Sequence, residues 1–259
     1  MRGEKNKRKR INKPAQVTIF IIIAILIVSA ILIFFLYIQP TYFAPGSEKM
    51  EIERCIEKSI QDEINILGSQ AGFAEPEFYY LYKNDRIGYL CYTNLYNKPC
   101  VVQKPFLKEH FEEQLKKTAG EKILQCYEDS IDNLKSRGYE VVAGTPGVNI
   151  ELQPKSVIAT LNAPVVISSE SSQRFTKFTS IISSPIYDEV SIATSLLQYE
   201  TKYGDSDIST LMIFYPNLII DKIKRDDGTT VYIIQDKAVK TKFQFASRSY
   251  AWAAGYTGE

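Results

Sequence analysis

One histidine, four cysteines and a few paired acids are the residues of this 259-residue chain whose types could do chemistry. His110 stands in the run EHFEEQ, where flanking carboxylates invite a zinc-hydrolase reading. That chemistry needs two imidazoles one helical turn apart and a glutamate base, as in H-E-x-x-H, and a single histidine cannot supply the pair. A solvated helix face explains the same residues. A Ser-His-Asp triad would have to recruit His110 too; no G-x-S-x-G is present, and Ser183-Ser184-Pro185 lacks the elbow pattern around it. The neighbours Glu112-Glu113 and Asp188-Glu189 point apart on a helix and make poor acid–base couples. GSQAG at 68–72 and GTPG at 144–147 lack the spacing and lysine of a phosphate loop, so both read as turns and no cofactor is expected. Asp226-Asp227-Gly228 reads as a hairpin turn, with a cation site as its rival. A carboxylate-only hydrolase, whose two acids come from anywhere in the chain, stays open as an alternative.

The cysteines say more. Cys55, Cys91, Cys100 and Cys126 all follow the long apolar segment near the N-terminus. An even count beyond a membrane segment predicts two disulfides, although four cysteines allow three connectivities. Cys91 and Cys100 flank the turn-rich YTNLYNKP and can close a local loop, while Cys55 and Cys126 lie in helical patterns and can staple two helices. Zinc is the rival reading, but the spacings are not C-x₂-C and His110 falls between helical apolar positions, so no metal is expected.

The elements that must position these residues follow from periodicity. Ile52, Ile56, Ile60, Ile64 and Leu67 form one stripe and predict a helix over 47–67, ended by Gly68 and the GSQAG stretch. FYYLY at 78–82 and IGYLCYT at 87–93 predict a hairpin around Lys83-Asn84-Asp85-Arg86. Tyr79, Tyr80, Tyr82, Tyr89, Tyr92 and Tyr96 crowd this region, as strand formers or as a contact surface for a partner or a sugar ring. Residues 105–136 read as helix, split at Gly120. YEVVA, VNIELQ and VIATLNAPVVI then predict an antiparallel meander, because no helix intervenes. Phe175, Phe178, Ile182, Ile186, Val190, Ala193 and Leu197 predict a helix over 172–203, kinked or divided at Pro185. LIIDKIK, VYIIQ and KFQFASRSY close the chain as strands.

All of this hangs from a distinctive start. Residues 1–16 hold seven basic side chains against the single acid Glu4, and residues 17–38 hold no charge at all. A helix over those twenty-two positions measures about 33 Å at ~1.5 Å per residue, enough to cross a hydrocarbon core. The basic flank is predicted to stay cytoplasmic and the chain after Pro40 to lie outside. The formal charge of +1 therefore hides an asymmetry: beyond residue 16 there remain 24 basic and 29 acidic side chains, a net of −5. A mildly acidic exported part gives no electrostatic case for nucleic acid.

The stretch KPAQVTIF at this junction, with its basic leader and following apolar helix, resembles an archaeal class III (type IV pilin-like) signal, and the opening is similar to that of uncharacterised membrane-anchored envelope proteins of small-genome archaea. The resemblance implies cleavage between Ala15 and Gln16, with Thr18 as the small hydroxyl residue and the helix kept as anchor or filament core. It departs at Phe20, where pilin-like proteins carry a Glu that registers subunits. An uncleaved signal anchor explains the same residues.

The expectation is thus an α+β protein: a basic leader at 1–16, a transmembrane helix at 17–38, a linker at 39–46, an exported subdomain at 47–168, and a second subdomain or continuation at 169–259 dividing near Ser169–Gln173. Its expected role is a non-catalytic structural or interaction domain of the cell envelope, tethered in the cell membrane. A pilin-like filament or pseudopilus subunit and a membrane-tethered hydrolase are the alternatives. The expected partners are the lipid bilayer and other envelope proteins, with the small-molecule ligand unspecified.

Overall fold

A computed structural model describes residues 21–33, 46–96, 98–168, 172–239 and 241–249. Two compact units separate within it, one ending at Ser47 and one beginning at Glu48. In the first, residues 21–33 form helix α1, about 20 Å long at ~1.5 Å per residue. Its apolar side chains are exposed all round, from Ile23 at 47% to Leu26 at 62%. The remainder of the expected 17–38 span, at 17–20 and 34–38, lies outside the described residues, as do the leader and the 39–45 linker. Among the described residues no helix is long and apolar enough to cross a membrane.

The second unit is α+β. Helix α2 (Gly46–Ser69) buries its isoleucine stripe, with Ile56, Ile60 and Ile64 fully enclosed. The helix ends within GSQAG as expected, at Ser69, one residue beyond Gly68. Gly68 is helical, and the chain turns after it at Ala71 and Gly72, both at positive φ, where Gly72 N–H donates to the Leu67 carbonyl at 2.8 Å.

Strands β1 (Tyr79–Tyr82) and β2 (Asp85–Tyr92) form the expected hairpin, turning on Lys83 and Asn84 alone. Both turn residues hold positive φ (47° and 73°), the twist that suits a two-residue hairpin. Strand β3 (Val101–Val102) pairs with the far half of β2, and helix α3 (Leu107–Ser136) follows as one continuous rod. The expected break at Gly120 is absent. A lone helical glycine costs only about 1 kcal/mol. Burial of Phe111, Leu115, Ile123, Tyr127 and Leu134 on one face outweighs it.

Strands β4 (Glu140–Ala143), β5 (Gly147–Gln153), β6 (Ser156–Ser168) and β7 (Ser172–Ser183) make a sheet in which β4 and β5 share one edge of β6 and β7 takes the other. Along β6 every second residue from Val157 to Ile167 is buried. The register with β7 slips between Asn162 and Val165, which places Pro164 at an irregularity rather than in a regular ladder. Residues 172–183 were expected to be helical and are strand instead. Phe175, Phe178 and Ile182 fit a helical spacing, but Phe178, Ser180 and Ile182 alternate inward, and β6 offers an unpaired edge along its whole length. Pro185 divides the segment as expected, capping helix α4 (Ile186–Tyr203), which ends at the left-handed Gly204.

After the short helix α5 (Ile208–Phe214) come β8 (Leu218–Lys224), β9 (Thr229–Asp236) and β10 (Lys242–Arg248). Asp226-Asp227-Gly228 is the β8–β9 turn, with Asp227 accepting from Thr229 N–H at 3.0 Å and Gly228 at φ 81°. The sheet runs β1-β2-β10-β9-β8, and β10 lies parallel to β2, so this sheet is mixed rather than wholly antiparallel. One hydrophobic core runs from Ile52 to Phe245, drawing on α2, α3, α4 and both sheets. Residues 169–171, at the expected division, lie outside the described residues, and β6 and β7 on either side pair with each other.

Candidate functional site

The cysteines come together in the two expected pairs. Cys55 of α2 bonds Cys126 of α3 with Cα atoms 6.3 Å apart, and Cys91 of β2 bonds Cys100, just before β3, with Cα atoms 5.3 Å apart. Lys122 of α3 reaches Glu63 of α2 at 2.5 Å, a second tie between the same helices. Ala15 and Gln16 lie outside the described residues.

His110 is half-buried on a helix face whose Glu109 and Glu113 are exposed. Its ring meets the edge of Phe73 at 4.8 Å between centroids, and its Nε2 is buried without a hydrogen-bond partner. Burial, helped by the charge of Lys104, lowers its pKa to about 4, so the imidazole is neutral at pH 7. It lies on the floor of a cleft of about 780 Å³, within the range of roughly 300–1,000 Å³ usual for small-molecule sites. The floor is one stripe of α3, His110, Gln114, Lys117, Thr118 and Glu121, spaced by helical turns. Thr118 Oγ1 is also buried there without a partner.

The opposite wall is the segment Phe73–Phe78, held in place before any ligand arrives. Ala74 N–H donates to Gln114 Oε1 at 3.2 Å, and Tyr89 N–H donates to the Phe78 carbonyl at 3.2 Å. Phe73 packs against Gly88, where an added Cβ would come within 2.7 Å of the ring. Phe78, 49% exposed, stacks on Tyr89 with centroids 4.6 Å apart, and Tyr92 packs edge-on against both. Part of the tyrosine cluster therefore braces this wall. Glu75, Glu77 and Glu121 against Lys104 and Lys117 leave the cleft mildly acidic.

Besides Glu63, two buried carboxylates lie elsewhere among the described residues. Glu200 of α4 accepts from the Tyr232 hydroxyl and from Ser247 Oγ at 3.0 Å; Ser206 shares the tyrosine hydroxyl at 2.7 Å, and Cys100 Sγ lies 3.6 Å from Ser247. Burial raises the Glu200 pKa, yet both oxygens are satisfied, which marks a structural knot between α4 and the sheet. Glu189 is fully buried and makes no close hydrogen bond through either oxygen; the nearby Asp236 backbone only partly offsets its burial. Its neighbour Asp188 lines a second cleft, of about 400 Å³, with Phe214, Tyr215 and Val239. Glu112 is drawn into structure as well, accepting from Leu152 N–H at 2.7 Å. Among the described residues no group of three or more His, Cys, Asp or Glu side chains is placed to hold a metal ion.

The stripe from His110 to Glu121 is readable as helical spacing, but its covering wall comes from a segment some thirty residues earlier that carries no motif. The chain matches no protein-family model, no curated protein and no solved structure.

Proposed function

We propose that this chain is a single-pass, membrane-anchored protein of the cell envelope whose exported α+β domain binds a partner or ligand without transforming it, with the α3 cleft as the binding site. The observation that carries the reading is the pairing of all four cysteines beyond the apolar segment, since disulfides persist in oxidising compartments. The seven-to-one basic bias of residues 1–16 and the uncharged run at 17–38 supply orientation and anchor. The apolar girdle of α1 suits lipid, because a helix that is hydrophobic all round needs an apolar surrounding. The preformed cleft, with Phe73, Phe78 and Tyr89 in its lining, supports binding.

Protease added to intact cells should digest the domain after Pro40 and spare residues 1–16 where they are retained. Alkylation without reduction should label none of the four cysteines. Digestion of the leader with survival of the domain, or two free thiols, overturns the reading.

A further inference from the structure

We infer that the α3 cleft takes a neutral saccharide, one ring laid on Phe78 and its hydroxyls meeting the floor at Gln114, Lys117 and Glu121. This goes beyond the role proposed above by naming a ligand class. Three features of the cleft select it. First, its charges do not select an anion: three carboxylates face two ammonium groups, and the phosphate-binding patterns are missing from the sequence. Second, the floor is built for groups that both donate and accept. Lys117 and Glu121 are exposed along it, whereas His110 Nε2 and Thr118 Oγ1 are closed off from a ligand. The Lys117 ammonium donates and the Glu121 carboxylate accepts, and a sugar hydroxyl answers either. Gln114 spends its carbonyl on Ala74 N–H, which leaves its amide NH₂ as a donor. A purely apolar ligand would seal these groups without satisfying them.

Third, the wall offers a fixed aromatic face. Phe78 is half-exposed and backed by Tyr89 at 4.6 Å, so its ring is oriented without a ligand. The negative face of an aromatic ring attracts the weakly positive C–H face of a pyranose. An apolar face for C–H groups beside a hydrogen-bonding floor is the two-sided chemistry of a sugar ring. Because the wall is already pinned at Ala74 and Phe78, little ordering cost falls on binding.

The test uses the full chain in lauryldimethylamine oxide micelles, whose headgroup is not a sugar and cannot compete. Neutral tetrasaccharides of glucose, mannose and N-acetylglucosamine are titrated against it by calorimetry, alongside a neutral tyrosine-containing tetrapeptide. At least one saccharide should saturate, and the tetrapeptide should not. Phe78→Ala should weaken that saccharide about tenfold. Glu121→Ala should weaken it about fivefold while leaving the melting temperature no lower, since the side chain is exposed. Phe214→Ala, in the other cleft, should leave affinity unchanged. The inference is overturned by no saturation into the millimolar range, by saccharide affinity indifferent to either cleft variant, or by the tetrapeptide binding in place of saccharides. That last result would leave the interaction-domain reading standing, and none of the three bears on the protease and alkylation results.

Discussion

At the scale of single residues, two side chains carry charge behaviour that sequence neighbours do not betray. Glu189 follows Asp188 in the first turn of α4, where either acid complements the helix dipole, yet only Glu189 turns into the core. Burial, with the nearby Asp236 and Asp188 carboxylates, raises its pKa from 4.5 to about 8. The native state therefore holds this proton where the unfolded chain has lost it, so stability falls as pH rises from 4.5 towards 8, by up to about 5 kcal/mol. Glu189→Gln removes the penalty. In urea unfolding it should be clearly more stable than the parent at pH 9 and close to it at pH 4.5, and an unchanged pH dependence would refute the assignment. His110 runs the other way. Its pKa is lowered, so its contribution is complete above the unfolded value of 6.5 and is lost as pH falls towards 4. As the single histidine of the chain it gives one imidazole signal, whose NMR titration should centre near 4; a midpoint near 6.5 would place it back in solvent. The sequence flagged the histidine but not its setting, because Phe73 covers it from a distant segment.

Two glycines show how elements depend on what lies across from them. Both are helical, and propensity alone assigns them the same modest cost. Gly68 of α2 faces β10, where a Cβ would collide with the Lys242 carbonyl oxygen, a backbone atom that cannot swing away. Gly120 of α3 has nothing within 4 Å of the same position. Alanine should thus act with opposite sign: Gly120→Ala should stabilise by about 0.5–1 kcal/mol, and Gly68→Ala should destabilise by about 1–3 kcal/mol. Denaturant midpoints of the two variants decide it, and a stabilising Gly68→Ala would disprove the close approach. The same dependence explains which elements were legible. The isoleucine stripe of α2, the hairpin turns and the alternation of β6 announce themselves locally. β7 does not, because its apolar spacing suits helix and strand alike until the free edge of β6 is present. The continuous α3 was obscured for a similar reason: a glycine signal is local, while the core that overrides it is not.

For the molecule as a whole, long-range closure is what the sequence concealed and what the covalent links protect. The parallel pairing of β10 with β2 joins residues more than a hundred and fifty positions apart, and no local pattern foretells it. The cysteines were the exception, since helical and turn-rich settings pointed to the right partners. Their two bridges should differ in worth. The link from Cys55 to Cys126 spans 71 residues and fixes α2 against α3, whereas that from Cys91 to Cys100 spans nine and closes a loop beside β2. If a bridge acts mainly by restricting the unfolded chain, the long loop contributes about 4 kcal/mol and the short one about 2.5 kcal/mol. Local packing narrows that gap, because Cys100 touches Ser247, which in turn bonds Glu200. The Cys55→Ala/Cys126→Ala variant should still lose more stability than Cys91→Ala/Cys100→Ala. Urea unfolding of both in micelles, with the surviving bridge verified by alkylation, measures the difference. The reverse order would mean that the short bridge acts by holding the β2 edge and the Glu200 knot in the folded state, not by confining the unfolded chain.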